Sequence, residues 1–465
     1  MRLFLANAFL FFISLACEAQ SFKVDTIFFS GKSEKFINIV ILPDGYQESE
    51  LAKFKTDAEA FVNVFFTVPP FDRYSNYFNV FIVNVPSNES GADHPGTATD
   101  VTEPAHEVQS VDNYFGSTFD YYDIHRLLVP LEEGKIFSVL ANNVPLYDQA
   151  IILANTPYYG GSGGTFATAS LHSQSIEVTI HELGHSFAGL SDEYYAGDFY
   201  AGENVNMTQE TDPEKVRWKN WIGTNEVGVY QHCCSGNSAQ WYRPHQSCKM
   251  RMLGAPFCSV CQQAIVERIH RLVSPVSHYY PESLDLVNEN ETMDFNVDLI
   301  NPQPNTLHSI WELNGEITGV TGEEFSLNGS ELLPGLNFLA VYVEDTSELI
   351  RIDGHDQIHL SSVVWSIDNN ELSTDKIQAS AYDISIKLYP NPISDVLNIT
   401  IESDLPKSRK FTIELYDMTG KKLKHFSAAN NDNTSILLDE FASGTYGVNV
   451  FDGKLKVGSK KIIIK

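Results

Sequence analysis

Apolar residues follow two different spacings in the first 275 residues. Short continuous apolar runs predict buried strands, and they lie at Phe36 to Leu42, Tyr77 to Val85 and Ala150 to Ala154. Between the runs, apolar residues recur every three or four positions, which predicts helices over residues 51–65 and 131–141. Strands that alternate with helices indicate an α/β layer with a mixed sheet.

A different pattern begins near residue 276. Short alternating apolar runs, such as Phe338 to Val343 and Val363 to Ile367, are separated by turn residues. This pattern is typical of a small β-sandwich, and we predict an immunoglobulin-like one over residues 276–368. Residues 369–382 are polar and predict a linker. At 465 residues, the chain is too long for one domain.

One predicted helix carries side chains that are typical metal ligands. It covers residues 175–188, and Gly189 after it favours a left-handed stop. His181 and His185 are four residues apart, so a helix places them on one face, where they can hold a zinc ion. Glu182 lies beside them, in the pattern HExxH of zinc peptidases.

A catalytic zinc site needs a third protein ligand, and the turn after the helix offers two carboxylates. Asp192 and Glu193 follow Gly189 closely. The loop is one residue longer than in the metzincin pattern HExxHxxGxxH or HExxHxxGxxD. We predict Asp192 as the third ligand, with Glu193 as the alternative. The one that does not bind zinc would orient a histidine instead.

These ligands predict a hydrolytic mechanism. Zinc with three protein ligands leaves a position for water, lowers the pKa of that water to about 7 and polarises a carbonyl. Glu182 would then act as general base towards the water and as general acid towards the leaving amine. Tyr242 and Tyr194 are candidate donors to the tetrahedral oxyanion.

Five cysteines lie in one short region: Cys233, Cys234, Cys248, Cys258 and Cys261. Disulfides are the default in an oxidising compartment, but the Cys-x-x-Cys spacing also fits a second, structural zinc. Both alternatives stay open. Either would tie the segment around Met250 to a helix that starts near Ser259.

Charge and the N-terminus indicate the compartment. The net charge of −29 argues against nucleic acid and anionic membrane surfaces as partners. Residues 1–19 combine Arg2 with an apolar run from Leu3 to Leu15, which is typical of a secretory signal peptide. No other apolar run is long enough to predict a transmembrane segment.

The zinc motif and several other segments resemble the IgA peptidase family of zinc metallopeptidases. The similar segments are Asn38 to Tyr46, Pro70 to Tyr74, Tyr77 to Phe81, His181 to Glu193, Tyr242 to Pro244, Cys248 to Met250 and Phe257 to Cys261. The resemblance implies a metzincin-like α/β fold and hydrolysis of peptide bonds over residues 20–275. Within it, Met250 fits the Met-turn that lies under the metal. Immunoglobulin is not implied as the substrate.

The final segment resembles a type IX secretion sorting domain. The similar stretches are Leu388 to Pro392, Leu397 to Ile399, Leu415 to Gly420, Gly444 to Tyr446 and Lys460 to Lys465. The resemblance implies a C-terminal β-sandwich over residues 383–465, recognition by the type IX machinery and export across the outer membrane of a Gram-negative bacterium.

We therefore predict a multidomain α+β protein that is secreted or attached to the cell surface. Its predicted activity is that of a zinc-dependent endopeptidase acting on proteins or peptides. Two alternatives are a catalytically weak binding protein that keeps the peptidase fold, and a zinc amidase acting on a non-protein polymer. The intact His181, Glu182 and His185 favour the first function.

Overall fold

The computed structural model describes residues 21–464 except 196, 199–200, 289–291, 356–358, 370–383, 392, 394–395, 404, 418–421, 439 and 454. The predicted signal peptide and almost all of the predicted linker lie outside these residues. Contacts along the chain separate two compact units, Met1–Val273 and Ser274–Lys465.

A six-stranded mixed sheet forms the centre of the first unit. The strands of this unit are β1 (Val24–Phe28), β2 (Ile37–Asp44), β3 (Phe78–Val83), β4 (Ser117–Thr118), β5 (Val129–Pro130), β6 (Gln149–Ala154), β7 (Gly161–Ser162), β8 (Ala167–Ala169), β9 (Tyr230–Gln231) and β10 (Tyr242–Arg243). The central sheet has the order β1-β3-β2-β6-β8-β7. Its four inner strands are parallel, and the edge strands β1 and β7 are antiparallel to their neighbours.

Helices cover both faces of this sheet, as the apolar pattern requires. They are α1 (Leu51–Phe65), α2 (Glu133–Asn143), α3 (Ser175–Ala188) and α4 (Ser259–Leu272). Strands β2 and β3 are buried at every position because both of their faces are covered. The apolar side of α2 packs on one face, and the apolar sides of α1 and α3 contact each other through the aromatic side chains around Phe71 and Phe187. The predicted mixed α/β layer is confirmed.

Helix α3 follows the inner strand β8 and ends at Gly189, which has φ of 65°. A positive φ is easy for glycine, so the chain reverses there without strain. Near the middle of the helix, a Cβ on Gly184 would lie 2.6 Å from the Met250 sulfur. The absence of a side chain at Gly184 thus lets the Met250 segment pack directly against α3.

The second unit consists of β-sheets. Its strands are β11 (Val276–Tyr280), β12 (Asp285–Val287), β13 (Thr292–Leu299), β14 (Leu307–Leu313), β15 (Glu316–Thr321), β16 (Glu324–Asn328), β17 (Gly335–Asp345), β18 (Ser361–Asn369), β19 (Ile384–Tyr389), β20 (Val396–Ser403), β21 (Lys410–Tyr416), β22 (Lys422–Ala429), β23 (Asn433–Leu437), β24 (Gly444–Asp452) and β25 (Leu455–Ile464).

These strands build two successive sandwiches. In the first, the sheets β11-β13-β16 and β12-β18-β17-β14-β15 share a core around Trp311 and Trp365. In the second, the sheets β19-β20-β23 and β22-β21-β24-β25 share a core of aliphatic and aromatic side chains that includes Ile399 and Ile413. The predicted β-rich C-terminal region is confirmed, and the specifically immunoglobulin-like arrangement stays a prediction.

The last sandwich packs against the one before it. Lys461 donates a hydrogen bond of 2.9 Å to the carbonyl of Val364, and a Cβ on Gly447 would lie 2.7 Å from the ring of Phe338. Among the described residues, no helix is both long enough and apolar enough to cross a membrane.

Candidate metal centre and active-site cleft

Three predicted zinc ligands converge at the C-terminal half of α3. The Nε2 atoms of His181 and His185 are 3.2 Å apart, and Asp192 Oδ1 lies 3.0 Å from the first and 3.3 Å from the second. Nitrogen and oxygen ligands of a tetrahedral zinc ion are bound at about 2.0–2.2 Å, which places them about 3.3–3.6 Å from each other. The donor set and its spacing therefore fit a zinc ion with three protein ligands.

Backbone carbonyls hold both imidazole rings in this orientation. The Nδ1–H of His181 donates to the carbonyl of Lys249 at 2.9 Å, and that of His185 donates to the carbonyl of Leu190 at 2.6 Å. With Nδ1 protonated, each Nε2 keeps its lone pair for a metal. The ring of His181 is thus oriented by the segment that also carries Met250.

The electrostatics of the three groups favour a positive charge between them. Burial alone would lower the pKa of His185, but its hydrogen bond to Asp192 and the charge of that carboxylate raise it to about 9. Burial alone would raise the pKa of Asp192, but the hydrogen bonds from His181 and His185 lower it to about 2. A divalent cation would supply the charge that this arrangement stabilises.

Glu182 faces a cleft with a volume of about 360 Å³. The same cleft is lined by Arg126, Leu127, Gly161 and Tyr194 among others. Burial raises the pKa of Glu182 above its usual value, although the charges of the two histidines oppose this effect. The carboxyl group therefore lies in a partly dehydrated position at the rim of the metal centre.

The glycine-rich segment before α3 forms the wall next to Glu182. A Cβ on Gly163 would overlap the carboxylate of Glu182, so a side chain at this position would displace the acid from its present place. Strand β7 just before it is the edge of the central sheet. The amide of Gly161 donates to the carbonyl of Arg126 at 3.2 Å, which joins the edge strand to the loop that carries Arg126.

The two candidate oxyanion donors have different positions. The ring centroid of Tyr194 is 6.2 Å from that of His181, and Tyr194 lines the cleft. Burial, together with the charge of Asp192, raises the pKa of Tyr194 to about 12. Tyr242 belongs to the short strand β10, which pairs with β9, and it is not part of the cleft lining.

Arg126 is a cleft residue that the sequence analysis missed. Its positive charge acts on Glu182, and it lines the cleft with Leu127. Neither residue belongs to a motif, and both reach the site through a loop that lies 48 to 49 positions before the start of α3. No sequence signal would have identified them.

Met250 packs against α3 at Gly184, between the two candidate histidine ligands in the sequence of that helix. Its side chain is fully buried, and its carbonyl accepts a hydrogen bond of 2.7 Å from the amide of Glu193. The neighbouring Lys249 forms an ion pair with Glu177 of α3. Met252, by contrast, is 48% exposed. The assignment of Met250 to a Met-turn stays a prediction.

Glu193 turns away from the histidines and joins three cysteines. Cys261 Sγ lies 3.6 Å from Cys248 Sγ, 3.6 Å from Cys258 Sγ and 3.4 Å from Glu193 Oε1. All four residues are buried, and their ligand atoms lie within 4.8 Å of one another. Burial raises the pKa of Glu193, Cys258 and Cys261 well above their usual values.

The other two cysteines of the predicted set lie elsewhere. Cys233 and Cys234 are neighbours in the chain, with their sulfur atoms 2.9 Å apart, and Cys234 is exposed. Among the described residues, all five cysteines have free thiols. The structure thus divides the predicted cysteine set into a buried group of three and a more exposed pair.

Comparison with known proteins identifies two regions of the chain. Residues 26–227 match the family model of the IgA Peptidase M64, and residues 387–465 match that of the secretion system C-terminal sorting domain. The similar segments around Tyr242 and Cys248 lie beyond the first match. No curated protein matches the chain.

Solved structures give only weak similarity. Dimeric latent PorU from Porphyromonas gingivalis is 13% identical, with 41% of this chain and 20% of that chain covered and a TM-score of 0.16. The apo structure of Bacteroides uniformis beta-glucuronidase 3 is 12% identical. The match covers 50% of this chain and 29% of that chain, with a TM-score of 0.17. This chain therefore spans a fifth of the length of the first structure and less than a third of the second.

The family matches agree with the site geometry and with both resemblances seen in the sequence. A sorting domain of this kind indicates export by the type IX secretion machinery to the cell surface or beyond it. Residues 26–227 are thus similar to the IgA peptidase M64 family, and the chain combines this peptidase-like region with a secretion sorting domain at its C-terminus.

Proposed function

We propose that this protein is a secreted zinc-dependent endopeptidase. One observation carries the proposal: two imidazole nitrogens and the carboxylate of Asp192 meet within 3.0–3.3 Å of one another, next to the buried acid Glu182. Two nitrogen donors and one carboxylate are a ligand set of catalytic zinc sites. Zinc bound there would lower the pKa of a water molecule and polarise the carbonyl to be cleaved.

Glu182 carries the proton transfers in this proposal. It lies in the cleft beside the ligands, and the wall at Gly163 leaves room for its carboxylate. It takes the proton of the attacking water and passes it to the leaving amine. Tyr194 is the better candidate than Tyr242 for stabilising the tetrahedral oxyanion, because Tyr194 lines the cleft.

We further propose that Cys248, Cys258, Cys261 and Glu193 hold a structural zinc ion. Sulfur ligands at about 2.3 Å from a tetrahedral zinc ion are about 3.8 Å apart, close to the 3.6 Å between these thiols. A disulfide would need about 2.05 Å between two sulfur atoms. A buried carboxylate among buried thiols also needs a cation to offset its desolvation. This assignment supports Asp192 as the catalytic ligand, since Glu193 is used elsewhere.

The catalytic ligand set is tested by the change Asp192→Ala. We expect zinc affinity at the catalytic centre to fall by more than about 100-fold, because two imidazoles alone hold the ion and the two rings lose the carboxylate that joins them. The measurement is zinc content after dialysis against a graded series of chelator concentrations, with peptidase activity followed in parallel.

Asp212→Ala is the matched control, since Asp212 forms an exposed ion pair with Lys215 away from the cleft. It should retain zinc and activity. If Asp192→Ala held the catalytic zinc as tightly as the control, Asp192 would not be the third ligand. Loss of activity with full zinc retention would also contradict the assignment.

The sorting domain provides a test of localisation. Removal of residues 383–465 is expected to leave the protein in the periplasm, because the segment recognised by the type IX machinery is lost. Cell fractionation with immunoblotting measures the distribution. As a control against misfolding, the same segment fused to a periplasmic reporter should carry that reporter to the cell surface or beyond. Normal export of the truncated protein would refute the assignment.

A further inference from the structure

A further group of metal-ligand side chains lies between β3 and β5, on both sides of the short strand β4. His94, Glu103, Asp120 and His125 bring one ligand atom each to within 4.8 Å of the others. His125 Nδ1 lies 3.2 Å from both Glu103 Oε1 and Asp120 Oδ1. His94 Nε2 lies 3.8 Å from Glu103 Oε2 and 3.7 Å from Asp120 Oδ1. None of these residues belongs to the catalytic centre.

His94 has a nitrogen directed into this group that lacks a hydrogen bond. Its side chain is completely buried, and its Nδ1–H donates to the carbonyl of Glu107 at 3.0 Å. With the proton on Nδ1, Nε2 is unprotonated and carries a lone pair. Among the described residues, Nε2 has no hydrogen-bond partner. A buried polar atom without a partner is destabilising, because it has lost its hydrogen bonds to water. Coordination of a metal ion would satisfy it.

The backbone positions the two carboxylates towards the same point. The amide of Ala105 donates to Glu103 Oε2 at 3.0 Å, and the amide of Thr97 donates to Asp120 Oδ2 at 2.9 Å. Asp120 is buried, and the side chain of Glu103 is 13% exposed. Two carboxylates this close in a buried place repel each other unless a cation lies between them.

We propose that these four side chains bind a zinc ion. Two imidazole nitrogens favour zinc over calcium or magnesium, which prefer sites made only of oxygen ligands. The distances of 3.2–3.8 Å between donors are close to those of a tetrahedral zinc site. Four protein ligands occupy every position of a tetrahedron, and the two carboxylates neutralise the ion. The site is therefore structural and leaves no place for a reacting water.

The site connects to the cleft through the residues that follow His125. Arg126 and Leu127 line the cleft, and Leu127 pairs with Gly161 of the edge strand β7. An ion that holds His125 in place would therefore also hold Arg126 and Leu127 in place relative to Glu182. This consequence for the cleft rests on the proposed peptidase function, whereas the metal site itself does not.

A crystal of the full chain grown with zinc chloride tests the site directly. Anomalous difference maps are collected above and below the zinc absorption edge. We expect a zinc peak between His94, Glu103, Asp120 and His125, separate from a peak at His181 and His185. Absence of the first peak while the second is present would overturn this inference alone, and the converse would overturn the proposed catalytic centre alone. A peak at the new site whose height is the same above and below the zinc absorption edge would come from another metal and would overturn the choice of zinc.

Two histidine variants give a second measurement in solution. His94→Gln is expected to lose one zinc equivalent per chain, and the catalytic zinc should remain. His106→Gln is the matched control, because the ring of His106 packs 5.6 Å from that of His94 without belonging to the ligand group. It should retain all zinc. Equal zinc content in both variants would refute the site, and the map of the wild-type crystal decides the case if His94→Gln does not fold.

Discussion

Glu182→Gln is expected to lower kcat/KM for peptide cleavage by about 10²–10⁴-fold while zinc content stays unchanged. The amide has almost the same size as the carboxylate, so the narrow space beside Gly163 is still filled without displacement. It cannot accept a proton, however, and the attacking water loses its general base. The two histidines and Asp192 keep their contacts, because Glu182 makes no hydrogen bond to their ligand atoms.

The measurement compares kcat/KM on a peptide library with zinc content by mass spectrometry. Glu59→Gln is the matched control, since it makes the same chemical change on α1, in a surface ion pair with Lys55. It should leave both quantities at the wild-type level. Full activity of Glu182→Gln would remove Glu182 from the mechanism, and loss of zinc in this variant would mean that it acts as a ligand or through the fold.

Helix α3 and its histidine pair were predictable because the information for them is local. The four-residue spacing of His181 and His185 determines that they share a helix face, and Gly189 identifies the turn that brings Asp192 back. The buried strands and the helices of the first unit followed from apolar spacing for the same reason, and β2 and α1 lie within two residues of their predicted bounds.

The different surroundings of the Asp192 and Glu193 side chains were not predictable from the sequence. Both are carboxylates at neighbouring positions, and no local pattern says why one of them should face the histidines. The structure gives the reason: the amide of Glu193 donates to the carbonyl of Met250, which turns its side chain towards the cysteines. This depends on a segment 57 positions later in the chain.

The group around His94 was missed for a related reason. Its members span residues 94–125 with no regular spacing, and they lie in loops rather than on one helix or strand. A signal was present in composition, because three of the 14 histidines of the chain lie between residues 94 and 125, among several acidic residues. Only the folded loop shows which of them share a site.

The cysteine group is expected to determine the stability of the first unit. Cys258→Ser should remove one zinc equivalent and lower the free energy of unfolding by about 3–5 kcal/mol, because the remaining thiols and Glu193 would be buried charges without a full ligand set. For a unit of this size, that corresponds to a fall in Tm of roughly 10 °C. Differential scanning calorimetry and zinc content are the measurements.

Cys258→Ser should also weaken the catalytic centre, although Cys258 does not contact it. Glu193 directly follows Asp192, and Cys248 directly precedes Lys249, whose carbonyl orients His181. Loss of the structural ion would make the positions of Asp192 and Lys249 less fixed. We therefore expect weaker zinc binding at the catalytic centre as well. Cys234→Ser is the matched control, because this thiol is exposed and outside the group. If both variants had the same Tm and zinc content, the cysteine group would have no structural zinc, and the position of Asp192 would depend on protein packing alone.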